Sequence, residues 1–112
     1  MTILVVDDQA AMRFELARVF TLAGWTARSV GTLAEARLFA EIMQPNVVLT
    51  DRRLGDEDGA ALIGCGIPVV IYSGDPAWVR GASAVVLKPC QGGYGGLVKL
   101  VSASLEGAEA SW

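Results

Sequence analysis

Histidine is absent from the chain, and its two cysteines, Cys65 and Cys90, lie far apart. That combination excludes the usual Cys/His zinc sites and leaves no Cys-x-x-Cys redox pair. One disulfide is possible on count, but two ordinary buried thiols in a cytoplasmic protein are the expected state. An excess of one charge is missing too. The net charge is −3, and no run of lysine or arginine is available to follow a phosphate backbone, so direct nucleic-acid binding is not expected. No apolar run reaches the length of a membrane span, and the first residues run into acids instead of a signal-peptide cleavage site. The chain therefore reads as soluble and cytoplasmic, with no membrane insertion.

What is present in quantity is apolar surface to bury. Hydrophobic residues make up 53% of 112, enough for one sizeable core and too short a chain for a second domain. Residues 1–112 are read as a single domain, with no output domain following Trp112.

Along the chain, short apolar runs alternate with helical patterns. Ile3-Leu4-Val5-Val6 is an unbroken run of the kind buried on both faces of a sheet, and it stops at Asp7-Asp8. Met12, Leu16, Val19, Phe20 and Ala23 follow at helical spacing, with Gly24 as a stop. Trp25 to Val30 is a weaker strand. Thr32 and Glu35 make a capping box for a helix faced by Leu33, Ala36, Phe39 and Met43, and Pro45 ends it. Val47 to Thr50 is a buried strand ending on Asp51. Ala60 to Ile63 allows only a turn or two. Val69 to Tyr72 is the fourth strand, ending at Ser73-Gly74, and residues 75–83 leave little room for a crossover. Ala84 to Leu87 is the fifth, ending at Lys88-Pro89. Gln91 to Gly96 reads as a glycine-rich loop, before a last helix carried by Leu97, Leu100, Val101 and Leu105. Trp25, Trp78 and Trp112 read as packing or exposed interface residues, not a cofactor box.

This alternation predicts a doubly wound α/β sheet of five parallel strands. Sites in such sheets form beyond the carboxyl ends of the strands. Asp7 and Asp8, Asp51, Ser73 and Lys88 all fall there, so three carboxylates, a hydroxyl and an ammonium share one edge. Three close carboxylates repel one another and call for a hard divalent cation, and Mg²⁺ suits a few carboxylate and carbonyl oxygens with water. One carboxylate could then be phosphorylated, with Ser73 and Lys88 on the transferred oxygens. Simpler readings stand beside these: Asp7 as a helix cap, Asp51 as a solvated loop acid, Ser73 as a turn residue, Lys88 as a surface lysine.

Taken in order, Leu-Val-Val-Asp-Asp, Leu-Thr-Asp, the Asp58-Gly59 turn, Tyr-Ser-Gly and Leu-Lys-Pro resemble the receiver domains of two-component response regulators over nearly the whole chain. The resemblance implies a flavodoxin-like strand order 2-1-3-4-5, with Asp51 as phosphoacceptor. It implies Asp8 as a direct Mg²⁺ ligand, Asp7 acting mainly through water, and Asp51 and the backbone carbonyl of Arg53 completing the set. Ser73 takes the switch position, Lys88 senses the phosphoryl group, and Pro89 follows it in a cis peptide. The expected partner is a histidine kinase or histidine phosphotransfer protein, and the chain is not expected to turn over a diffusible substrate.

Departures from the pattern are equally definite. Val85 stands where receivers commonly carry a strand-five aromatic, and the short spans on either side of Ser73 require helices three and four to be shortened. Arg53 and Asp75 are expected to flank the entrance for attacking water, pair across it and tune phosphoryl lifetime. Two other classes remain open. One is a phosphorylation-independent pseudo-receiver that binds a partner; the other is an aspartyl-nucleophile phosphatase, which would want Asp-x-Asp where this chain has adjacent acids.

Overall fold

A computed structural model describes residues 1–75 and 77–110, with side chains through Glu106; Trp112 lies outside the described residues. The elements run β1 (Thr2–Val6), α1 (Ala10–Leu22), β2 (Thr26–Val30), α2 (Leu33–Met43), β3 (Val47–Thr50), β4 (Arg53–Leu54), β5 (Glu57–Asp58), a 3₁₀ turn (Gly59–Leu62), β6 (Val69–Ser73), β7 (Ala84–Leu87) and α3 (Gly93–Ala110). Five strands form one parallel sheet in the order β2-β1-β3-β6-β7, the doubly wound order expected.

Strand alternation divides the core in two. Ile3, Val5, Val47, Leu49, Val70 and Tyr72 face α1 and α3, where they meet Leu16, Phe20, Leu97 and Val101. Leu4, Val6, Val48, Val69 and Ile71 face α2 and the 3₁₀ turn, where they meet Leu33, Ala36, Ala40 and Leu62. Period-two side chains on strands buried on both faces give these unbroken apolar runs. Trp25 closes the α1 side, its ring edge-on to Phe20 at 5.2 Å. Trp78 is exposed.

Helix three is shortened, as expected, to the 3₁₀ turn, and a two-stranded antiparallel hairpin, β4–β5, fills the stretch before it. Four other local expectations need correction. Between β6 and β7 the described residues contain no helix. The glycines from Gly93 to Gly96 form the first turn of α3, not a loop, because Gly93 is wound in by the N–H it donates to the Cys90 carbonyl at 3.1 Å. Leu100 lies on the outer face of that helix while Leu97 and Val101 are buried, and Cys65 is exposed on the turn that replaces helix three. Both cysteines are free. Among the described residues no helix is long and apolar enough to cross a membrane.

Candidate functional site

β1, β3, β6 and β7 all end at the same edge, and their register brings Val6 beside Thr50 and Ser73 beside Leu87. The residues that follow these strands therefore converge. Lys88 Nζ donates to Asp51 Oδ2 at 3.0 Å and to Asp7 Oδ2 at 3.3 Å. Asp7 is 1% exposed, and the side chains of Lys88 and Asp51 are 20% and 19% exposed, so this bridge escapes most of the solvent screening that weakens surface pairs. The ammonium also lies 5.3 Å from the centre of the Tyr72 ring, a cation–π contact from inside the sheet. Tyr72 Oη accepts the N–H of Cys90 at 3.3 Å, fixing the ring and the chain beyond the cis Lys88–Pro89 bond together. Burial pulls the Lys88 pKa down, but the hydrogen bond to Asp51 and the charges of Asp7 and Asp51 outweigh it, leaving the group above its ordinary value.

Each acid spends one oxygen on a backbone N–H. Asp7 Oδ1 accepts the N–H of Gln9 at 2.9 Å, in the turn that leads into α1. The helix cap itself is Gln9, whose side chain makes no capping bond. Asp51 Oδ1 accepts the N–H of Arg53 at 3.2 Å and starts the β4–β5 hairpin. Asp8 is exposed, and its Oδ2 accepts the N–H of Gly55 at 3.1 Å, at the hairpin tip, where φ is 63°. Glycine adopts that left-handed conformation freely. The hairpin therefore ties Asp8, beyond the first strand, to the segment that follows the third.

Gly59 is a requirement of close approach. A Cβ there would collide with the Asp51 carbonyl and lie 2.6 Å from Thr50 Oγ1. Its N–H donates to the Arg52 carbonyl at 2.6 Å, drawing the start of the 3₁₀ turn down onto β3. Ser73, 6% exposed, accepts the N–H of Asp75 through Oγ at 3.2 Å. A cleft of about 390 Å³ opens between Arg52, Arg53, Asp58, Ser73 and Asp75.

The structure thus gathers Asp7, Asp51 and Lys88, with Ser73 at the same edge, and turns Asp8 toward Gly55. Among the described residues no three acids enclose a common point, so an all-protein metal cage is not built. The donors are nonetheless all oxygens, two of the carboxylates are only partly buried or exposed, and Mg²⁺ binds through one or two carboxylates while keeping several waters. The residues fit that ion. The expected ion pair between Arg53 and Asp75 is replaced by one from Arg52, whose Nη1 lies 4.0 Å from Asp75 Oδ2. Both arginines line the cleft, but the guanidinium of Arg52, just ahead of β4, is the one that reaches the crossover. Tyr72 and Arg52 are the contributors that sequence reading passed over. An unbroken apolar strand gave Tyr72 no distinguishing mark, and Arg52 is one charge among several.

Solved structures decide the fold. A response-regulator receiver domain from Methanospirillum hungatei superposes with a TM-score of 0.83 at 22% identity, covering 99% of this chain and 98% of its own. This is a receiver fold. The N-terminal domain of a three-domain response regulator from Carboxydothermus hydrogenoformans gives a TM-score of 0.79 at 25% identity, with 98% of each chain covered. A chemotaxis response regulator from Vibrio cholerae gives 0.80 at 17% identity over 92% of this chain and 97% of its own. No protein-family model matches the chain, and no curated protein matches it.

Proposed function

We propose that this chain is the phosphoacceptor of a two-component or phosphorelay system, taking a phosphoryl group on Asp51 from a phosphohistidine of a kinase or phosphotransfer protein. The observation that carries this reading is the Lys88 bridge to Asp51 and Asp7 at the carboxyl edge of a receiver fold. A carboxylate oxygen of Asp51 attacks phosphorus, the P–N bond breaks, and its electron pair returns to the imidazole of the partner. The product is an acyl phosphate. Lys88 is placed to exchange its Asp51 contact for a phosphoryl oxygen, remaining anchored by Asp7. Ser73 Oγ, which accepts the N–H of Asp75, would turn to donate its own proton to a second phosphoryl oxygen. Asp7, Asp8, Asp51 and the Arg53 carbonyl would hold Mg²⁺, which when bound neutralises the carboxylates and the transferring oxygens. Arg53 and Asp75, both lining the cleft, would set the access of hydrolytic water and so the lifetime of the phosphoryl group.

Incubating the chain with Mg²⁺ and acetyl phosphate and reading its intact mass tests the proposal. The expected result is a labile gain of one phosphoryl group that needs both Mg²⁺ and Asp51, and is absent from Asp51→Ala. The competing reading is a phosphorylation-independent binding module in the cytoplasm, favoured by Val85 and by the lack of a described helix between β6 and β7. Absence of any mass gain with several small donors and a panel of histidine kinases would select it.

A further inference from the structure

Arg52 stands outside the acid cluster, yet it joins the two segments that border the cleft. Its Nε lies 3.7 Å from Asp58 Oδ2 and its Nη1 4.0 Å from Asp75 Oδ2. Both carboxylates are fixed at their other oxygen. Asp58 Oδ1 accepts the N–H of Ala60, and Asp75 Oδ1 the N–H of Ala77, each at 2.9 Å. Each acid therefore offers its second oxygen from an ordered turn. Beyond them, the N–H of Asp75 donates to Ser73 Oγ. A continuous polar chain runs from the hairpin through Arg52 and Asp75 to the hydroxyl beside the phosphoacceptor.

We propose that Arg52 is a clasp holding the β6–β7 crossover against the β4–β5 hairpin in the unphosphorylated protein, and that its release carries the state of Asp51 to the surface. The inference rests on the phosphoacceptor reading and deepens it by naming how that site is read out. When Ser73 turns toward a phosphoryl oxygen, the Asp75 N–H loses its acceptor. Among the described residues Asp75 is then held to the hairpin by Arg52, through a pair 4.0 Å apart and a carboxylate that is 60% exposed. Solvent and salt screen such a pair, so it opens readily, and a two-state element needs a link of that kind. Val85 packs against the same side of the sheet as Val79 and Ala82 of the crossover and has no ring to swing. The crossover is the element left to move, and Trp78 rides on it, exposed.

The test uses the full chain with Mg²⁺ and acetyl phosphate, reading amide NMR signals of Asp75 and Ala77 and the indole N–H of Trp78, with intact mass measured on the same sample. Phosphorylation is expected to move all three signals in the parent. Arg52→Ala should move them in the same direction before any phosphoryl group is added, and phosphorylation should then add little. Arg52→Lys, which keeps the charge, should return them most of the way. The indole of Trp25, buried across the sheet, must hold its position in every variant and so reports an intact fold. If Arg52→Ala leaves the three signals at the parent's positions while its mass gain and phosphorylation shifts are unchanged, the clasp is wrong and the phosphoacceptor reading stands. If the parent gains no mass, that reading fails and the clasp falls with it.

Discussion

The ammonium of Lys88 gives up hydration to sit between two carboxylates and over a ring, and that exchange has a consequence with pH. Its folded-state pKa is raised, so the stabilisation it contributes is complete below the unfolded-chain value and is lost as pH climbs through the folded one. Urea unfolding of the parent and of Lys88→Met is expected to show a constant gap from neutrality to about pH 10 and a narrowing gap above it. Gly59 carries a different constraint. Gly59→Ala forces a methyl group against the Asp51 carbonyl and Thr50, and should cost about 1–3 kcal/mol in denaturant unfolding while slowing the appearance of the phosphoryl mass gain. At this scale, Asp7, Asp51, Ser73 and Lys88 were legible because each terminates an apolar run. A strand end in a parallel sheet fixes where such a residue points. Arg52 was not legible, since its two partners lie on segments whose approach depends on the hairpin and the crossover together.

Among the elements, α2 is the one its sequence specifies most fully. Thr32 Oγ1 accepts the N–H of Glu35 at 3.2 Å, and Glu35 reaches back to the Thr32 hydroxyl at 3.1 Å and to the N–H of Gly31 at 3.3 Å. Replacing Thr32 by Ala removes the cap acceptor and should lower stability by about 1 kcal/mol, a shift that thermal or urea unfolding resolves. The hairpin is the opposite case. Two-residue strands are too short to show a period, and Arg53 to Asp58 is polar except for Leu54, so nothing in the pattern separates it from a loop. The start of α3 misled for another reason. Glycine is a poor helix former, but packing of Leu97 and Val101 against the sheet extends the helix back through four residues of low propensity.

Across the whole molecule the two faces of the sheet are covered unequally. One carries α1 and α3, helices of 13 and 18 residues. The other carries the 11 residues of α2, a four-residue 3₁₀ turn and two crossover side chains, Val79 and Ala82. The two faces bury cores of like size, so the difference lies in the scaffold that holds them: short, irregular segments open locally at a fraction of the global unfolding free energy, and whatever is to respond to a ligand is drawn from them. The α2 side is therefore the more pliant half. Asp51 stands at the seam: its strand is locked in the centre of the sheet, while the hairpin and crossover around it belong to the half that yields.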